Sequence, residues 1–249
     1  MSCIIVIPAR MGASRFPGKP LVDLLGKPMV QWVWEASVAS NVADRIIVAT
    51  PDDAIVEACK SFGAEAMITS LDHNTGTDRI AEVARAVPGD VYVNVQGDEP
   101  LIRPAAIAAC AQPLIDDPGV QMASVYDDCP EEEFDNPATV KVVTDLAGDA
   151  LYFSRFAIPF PRGNRTENVK KHIGLYAYRG EILQQFASWK QTALELAETL
   201  EQLRFMEHGV KIRMAKAEAS ECAIDTPEQA DYVRSILSAR LSAEKSLIG

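Results

Sequence analysis

Residues 4–20 read IIVIPARMGASRFPGKP and carry the pattern that decides the fold: a short apolar run, then a long loop with glycine and proline. Apolar residues at helical spacing follow from Met29, so the order is strand, loop, helix. The same order recurs at residues 45–62, and residues 90–95 (DVYVNV) form another apolar run. Strands of this kind, alternating with helices and with little polar alternation inside them, predict a mainly parallel sheet covered on both faces.

The second half of the chain is less regular but divides in a similar way. Its candidate strands are residues 122–126, 140–144, 150–154, 172–178 and 212–217, and its candidate helices are residues 193–208 and 226–239. We therefore predict an α/β protein with a single Rossmann-like, three-layer domain over residues 1–240, in which a smaller β-rich lobe joins a mainly parallel central sheet. Residues 241–249 are predicted to be a frayed tail.

The composition excludes several classes of protein. The formal net charge is −11, from 35 acidic and 24 basic residues, which disfavours nucleic acid or an anionic membrane surface as a partner. The apolar run at residues 3–7 is too short for a signal peptide or a membrane span, so we expect a cytoplasmic protein without stable membrane insertion. Five scattered cysteines without paired spacing indicate reduced thiols rather than a zinc site or a disulfide framework.

The loop after the first strand is the first place to look for a ligand site, because open α/β sheets bind ligands at the carboxyl ends of their strands. It presents Arg10, Arg15 and Lys19 within ten residues of an otherwise acidic chain. These cations can surround a triphosphate, and Gly12 lets backbone N–H groups approach it. The loop lacks the Gly-Lys-Ser/Thr ending of a P-loop and the G-x-G-x-x-G fingerprint of dinucleotide sites. The alternative is that the cations are only solvated surface groups.

The string IPAR-x-x-x-SRFPGKPL, residues 7–21, resembles the signature of the sugar-acid cytidylyltransferases, a branch of the nucleotide-diphospho-sugar transferase fold. Four further segments resemble the 3-deoxy-manno-octulosonate branch: DHNTGTDR (72–79), VNVQGDEP (93–100), LYFSR (151–155) and HIGLYAY (172–178). The likeness runs from residue 4 to about residue 234. It implies a nucleotidyltransferase that moves CMP from CTP to the anomeric hydroxyl of an acidic 3-deoxy sugar, 3-deoxy-D-manno-octulosonate (Kdo). The products would be pyrophosphate and CMP-Kdo, which serves lipopolysaccharide biosynthesis.

Nucleotidyl transfer depends mostly on alignment and on neutralising phosphate charge, for which Mg²⁺ is the expected cofactor. Proteins typically hold Mg²⁺ with one or two carboxylates, and Asp98 fits because it follows a buried strand and Gly97 permits a sharp turn. Asp98 could instead be only a turn or cap residue. The resemblance implies a second ligand, Asp225 in DTPE (225–228), although Ala223 replaces the usual glycine. Asp225 could equally be a helix N-cap.

The cationic loop and the resemblance together assign a set of site residues. The expected catalytic residues are Arg10, Arg15, Lys19 and Asp98. The expected CTP contacts are Ala9, Arg10, Gly12, Arg15, Lys19, Thr77, Asp78, Arg79 and Gln96. The expected sugar contacts are Gln96, Arg155, His172, Tyr176, Glu198 and Gln202. The expected metal ligands are Asp98 and Asp225.

The predicted helix at 193–208 places Leu196, Leu200 and Leu203 toward a core by steps of three and four residues. A different face carries Glu195, Glu198 and Gln202, and the resemblance directs that face at the sugar hydroxyls, with Glu198 and Gln202 as the preferred contacts. The family pattern has histidine at position 196 and methionine at position 199, so this chain departs from it there.

Three alternatives remain open at this stage. The acceptor could be another sugar acid, such as an 8-amino variant or a sialic-acid relative. The chain could also be a catalytically silent nucleotide-sugar-binding protein, although its cations and aspartates are intact. A related glycosyltransferase would need an Asp-x-Asp motif, which residues 97–99 (GDE) match poorly.

Apolar residues in two segments, at 31–38 and 150–161, exceed what one buried face requires. Surfaces of this kind usually mark interfaces, and the resemblance also implies a homodimer, in which the β-rich lobe would serve both dimerisation and sugar binding.

Overall fold

The computed structural model describes residues 1–12, 15–73, 75–162, 169–220 and 222–248. Its strands are β1 (Cys3–Pro8), β2 (Asp23–Leu24), β3 (Lys27–Pro28), β4 (Arg45–Thr50), β5 (Glu65–Ile68), β6 (Val91–Asn94), β7 (Met122–Asp128), β8 (Lys141–Thr144), β9 (Ala150–Ser154), β10 (Lys170–Arg179) and β11 (Ile212–Lys216). Its helices are α1 (Met29–Ala39), α2 (Asp53–Phe62), α3 (Gly76–Ala86), α4 (Pro104–Asp116), α5 (Gly180–Phe186), α6 (Ala193–Glu198), α7 (Gln202–Glu207) and α8 (Pro227–Ile248).

The central sheet has the strand order β11-β7-β10-β6-β1-β4-β5. The pairs β1–β4, β1–β6, β4–β5 and β7–β11 are parallel, whereas β10 runs antiparallel to both β6 and β7. Strands β8 and β9 pair antiparallel with each other, and β8 also joins the end of β10. The predicted α/β class and mainly parallel sheet are therefore confirmed, and β8 and β9 form a smaller antiparallel part.

Burial on both faces of β1 explains why its residues are apolar without alternation. Ile5 and Ile7 pack into the cluster that contains residues of α1, α2 and α4. Ile4 and Val6 pack into the cluster that contains residues of α3 and α5 on the other face. A strand enclosed in this way gains from an apolar side chain at every position, and the result is three layers.

Two predicted helices differ from those observed. The helix predicted at 193–208 is divided into α6 and α7 by Thr199, which has the left-handed values φ 55° and ψ 51°. The regular helical repeat ends at this break: Leu196, before it, is 60% exposed, whereas Leu200 and Leu203, after it, are buried as predicted. The last helix is longer than predicted and reaches Ile248. The division into a domain at 1–240 and a tail at 241–249 stays a prediction.

The apolar surface predicted on α1 is smaller than its sequence indicates. The Trp32 indole donates a hydrogen bond to the Leu24 carbonyl at 2.9 Å, and Trp34 packs on Phe62 with ring centroids 5.5 Å apart. In the second segment, Leu151 and Phe156 are exposed as expected, and Phe156 is 82% exposed. No helix in the described ranges is long and apolar enough to cross a bilayer.

Candidate active site

The site lies where β1 and β6, parallel neighbours, end at the same edge of the sheet. Val6 pairs with Asn94 in the ladder, and the Val95 N–H donates to the Val6 carbonyl at 3.1 Å. This pairing brings the loop after β1 against the turn that carries Asp98. The approach is so close that a Cβ at Gly97 would lie 2.5 Å from the Pro8 carbonyl oxygen. Glycine at position 97 is therefore required by packing, beyond any demand of the turn itself.

A cavity of about 320 Å³, the first cavity, opens between this loop, the turn at Asp98 and the start of α3. Its polar lining consists of Arg10, Arg15, Lys19, His73, Thr75, Arg79, Gln96, Asp98 and Asp225, and Ala9 and Gly76 also line it. Gly12 belongs to the same loop. Guanidinium and ammonium groups, together with the N-terminus of α3, make this cavity suitable for an anion such as a polyphosphate.

Lys19 joins the two aspartates predicted as metal ligands. Its Nζ donates to Asp98 Oδ2 at 2.7 Å, to Asp225 Oδ1 at 2.9 Å and to the Ile224 carbonyl at 3.0 Å. Burial alone would lower the pKa of Lys19, but the two carboxylates outweigh it and hold that pKa above its usual value. Arg15 approaches Asp225 Oδ2 at 2.9 Å from the solvent side. Two carboxylates thus converge on one positive charge.

The residues predicted as CTP contacts at the start of α3 have different surroundings. Asp78 caps the helix: its carboxylate accepts a hydrogen bond from the Thr75 N–H at 3.2 Å, and the Thr75 hydroxyl oxygen accepts one from the Asp78 N–H. Thr77 donates to Glu201 Oε2 at 2.8 Å, on the side away from the loop cations. Arg79 lines the first cavity, where burial and the charge of Arg10 lower its pKa, and it donates to the Ser70 carbonyl at 3.0 Å.

A second cavity of about 270 Å³ adjoins the first, and Gly76 and Gln96 line both. The polar residues of its lining are Thr77, Asn94, Gln96, Tyr176, Tyr178, Thr199, Glu201 and Gln202. No arginine, lysine or histidine is among the described residues that line it. The Tyr176 hydroxyl donates to Gln202 Oε1 at 3.2 Å. Asn94 Oδ1 and Gln202 Nε2 are buried and have no hydrogen-bond partner among the described residues.

Glu201 and Asn94 were missed by the sequence analysis. Glu201 stands beside Gln202, but the helix predicted across both residues put Glu198, not Glu201, on the same face. Burial raises the pKa of Glu201, and its carboxylate accepts from Thr77. Asn94 carried a usable signal, because it is a polar residue at the carboxyl end of a buried apolar strand.

Three predicted sugar contacts lie outside the described lining of both cavities: Arg155, His172 and Glu198. His172 Nε2 lies 2.9 Å from Ser124 Oγ, and its ring packs beside Phe153 and Tyr176. Burial lowers the pKa of His172 to about 3, so its imidazole is neutral near pH 7. Arg155 and Glu198 bind each other's backbone groups instead of facing a cavity.

The three-layer α/β fold places a cation-lined cavity at the strand ends, an arrangement suited to a nucleotide, and the comparisons with known proteins show that the chain is an enzyme of the nucleotidyltransferase class. A family model described as cytidylyltransferase matches residues 4–212. The chain belongs to the cytidylyltransferase family, as the sequence resemblance predicted.

Within that family its relatives are 3-deoxy-manno-octulosonate cytidylyltransferases. It is 43% identical to the one from Escherichia coli, over 96% of this chain and 97% of that protein. It is 46% identical to the one from Trichlorobacter lovleyi, over 92% and 95% of the two chains. The solved structure of CMP:2-keto-3-deoxy-manno-octonic acid synthetase complexed with CTP matches with a TM-score of 0.94 and 42% identity, covering 96% of this chain and 100% of that one.

Proposed function

We propose that this enzyme transfers CMP from CTP to the anomeric hydroxyl of Kdo, giving CMP-Kdo and pyrophosphate for lipopolysaccharide biosynthesis. The observation that carries the proposal is the pair of adjoining cavities: the first is lined by several cations beside two aspartates, and the second has no cation among its described lining residues. The names of the relatives and the bound CTP of the matching structure support the same reaction.

The first cavity would hold the triphosphate. Arg10, Arg15 and Lys19 would neutralise its oxygens, and Gly12 would offer a backbone N–H group. Ala9 would contact CTP only as part of the cavity wall, because its N–H already donates to the Ala49 carbonyl at 3.0 Å. The N-terminus of α3, where Asp78 maintains the cap, adds a partial positive charge, and Arg79 extends the cationic wall. Charge neutralisation of this kind weakens the bond to the departing pyrophosphate.

Asp98 and Asp225 would hold Mg²⁺. The family generally uses a divalent metal. The two carboxylates fit a magnesium site because both already converge on one cation, the Lys19 ammonium, at 2.7 and 2.9 Å. Mg²⁺ usually takes one or two carboxylates and fills its other positions with water and substrate phosphates. When bound, the metal would supply further neutralisation of phosphate charge.

The second cavity would take the uncharged, hydroxyl-bearing part of the sugar. The absence of a cation from its described lining makes it a poor place for the sugar carboxylate. The unpartnered Asn94 Oδ1 can accept and the unpartnered Gln202 Nε2 can donate, so the lining has one acceptor and one donor to offer to sugar hydroxyls. Gln96, at the boundary of the two cavities, would hold the anomeric hydroxyl near the α-phosphorus. The neutral imidazole of His172 would pack beside the Tyr176 ring and help to hold that side chain in place.

Pyrophosphate release with CTP and a panel of sugar acids, with and without Mg²⁺, tests the proposal. We expect magnesium-dependent release with Kdo and much less with sialic acids. A higher kcat/KM for an 8-amino sugar acid than for Kdo would identify the 8-amino sugar acid as the substrate. No release with any sugar acid, despite CTP binding, would support the catalytically silent alternative and contradict the proposal.

We further propose a homodimer formed through the segment that follows β9. Phe156 and Phe160 are each 82% exposed, a large apolar surface for a monomer in water. Sedimentation at micromolar concentration should give about twice the chain mass of 27.1 kDa. Phe156→Glu should shift the protein toward monomer, because an interface would bury the new charge, whereas Tyr232→Glu on α8 should not. A wild-type monomer at these concentrations would contradict the proposal.

A further inference from the structure

The turn at Thr199 decides where Glu201 and Gln202 lie. A left-handed conformation is unfavourable for a residue branched at Cβ, so neighbouring groups must hold the turn in place. Thr199 and the next three residues all line the second cavity. If α6 instead continued as one helix through this point, Glu201 and Gln202 would be carried to different positions around its axis. The second cavity, in which we place the acceptor sugar, therefore keeps this lining only while the turn at Thr199 is held.

Arg155 holds the turn from outside the cavity. Its Nε donates to the Glu198 carbonyl at 2.8 Å, and its Nη2 donates to the Thr199 carbonyl at 3.4 Å. These carbonyls belong to the C-terminal end of α6, where a helix leaves acceptors unsatisfied and favours a cation. A third bond runs from Nη1 to the Pro137 carbonyl at 3.0 Å.

Glu198 returns the contact. Its Oε2 accepts from the Arg155 N–H at 2.9 Å, and its Oε1 accepts from the Ser154 hydroxyl at 2.6 Å. The carboxylate and the guanidinium thus each bind the other residue's backbone, and the two contacts together tie the end of β9 to the end of α6.

Lys141 fixes the other side of this arrangement. It is fully buried on β8, and its Nζ donates to three carbonyls, those of Asn136 at 2.9 Å, Thr139 at 2.6 Å and Arg155 at 2.8 Å. The backbone of Arg155 is therefore anchored from β8 while its side chain reaches α6. A fixed anchor allows Arg155 to determine the position of the turn rather than follow it.

We propose that Arg155 and Glu198 are positioning residues, which act on the acceptor sugar by holding the Thr199 turn and do not touch the sugar. This inference rests on the proposed function for its consequence in catalysis, but its structural part can be tested without substrate. It differs from the sequence-based expectation that both residues contact the sugar directly.

The test combines hydrogen exchange without substrate and steady-state kinetics on Arg155→Ala, Arg155→Lys, Glu198→Ala and the double alanine variant. We expect faster amide exchange at residues 199–203 in each alanine variant. KM for the sugar acid should rise on the order of tenfold to a hundredfold, the range for bonds to a charged group, with KM for CTP nearly unchanged. Arg155→Lys should be intermediate, because a compact ammonium keeps the charge but lacks the planar fork that reaches the Glu198, Thr199 and Pro137 carbonyls from three separate nitrogens.

Two features of the result separate positioning from direct contact. The double variant should have a sugar KM no worse than about that of the worse single variant, because both changes release the same turn. The proposal would be overturned if the increases in sugar KM of the two single variants multiplied in the double variant. It would also be overturned if the sugar KM rose while amide exchange at residues 199–203 stayed unchanged. Arg234→Ala is the matched control, since that guanidinium also donates to a backbone carbonyl, of Asp23 at 2.9 Å, away from both cavities. Faster amide exchange in the alanine variants, combined with no activity of the wild-type enzyme toward Kdo, would contradict the proposed function but not the positioning role of Arg155 and Glu198.

Discussion

Replacement of Asp98 by asparagine is expected to lower kcat by about a hundredfold to a thousandfold while the protein still folds. The amide keeps the size of the side chain but removes the charge that faces Lys19 at 2.7 Å and that would bind Mg²⁺. The side chain is about one-third exposed, so the substitution leaves no cavity in the core. Initial rates of pyrophosphate release at saturating Mg²⁺ and both substrates, together with the melting temperature, measure the effect.

Asp53→Asn is the matched control for this variant. It removes one negative charge from an exposed position at the start of α2, outside the lining of both cavities, and should leave kcat within about twofold. A near-normal kcat for Asp98→Asn at the Mg²⁺ concentration that just saturates the wild type would remove Asp98 from the mechanism. A kcat restored only at much higher Mg²⁺ would show that the side chain serves metal affinity.

The convergence of the loop after β1 with the turn at Asp98 follows from sequence by a short argument. Both segments follow apolar runs without polar alternation, and such strands occupy a parallel sheet whose carboxyl ends share one edge. Asp225 is different, because it lies on a segment more than a hundred residues further along the chain. No local pattern says that such a residue returns to the same edge, so only the family resemblance indicated it.

The break at Thr199 could not be predicted from sequence periodicity. Leu196, Leu200 and Leu203 keep helical spacing across the turn, and none of the residues between them is glycine or proline. The conformation depends on Arg155, which is distant in the chain and donates to the carbonyls at the end of α6. Tertiary contacts here override the weak local preference of this segment for a continuous helix. The same contacts put Glu201 in the lining of the second cavity.

The orientation of β10 could not be predicted from the sequence either. An apolar run does not reveal whether its neighbours are parallel, and β10 lies between β6 and β7, antiparallel to both. This placement has a consequence for the site, because Tyr176 pairs with Asn94 across the β10–β6 ladder. The two side chains thereby reach the same cavity from adjacent strands.

Lys19→Met is expected to lower kcat/KM for CTP by about a hundredfold or more, with a change in stability of about 1 kcal/mol or less. Lys19 is 13% exposed, and its raised pKa keeps it protonated across the neutral range, so it is a permanent charge in the first cavity. The two aspartates that lose it are each about one-third exposed and remain hydrated, which limits the cost to folding.

The matched control for this variant is Lys27→Met, which breaks an ion pair of the same 2.7 Å length, with Glu35, at a position outside the lining of both cavities. It should leave the CTP kinetics unchanged within about twofold. Steady-state rates over a range of CTP concentrations, with chemical denaturation of all three proteins, provide the comparison. If Lys19→Met and Lys27→Met have the same kcat/KM as wild type, the loop cations are a solvated surface and the first cavity is not the triphosphate site.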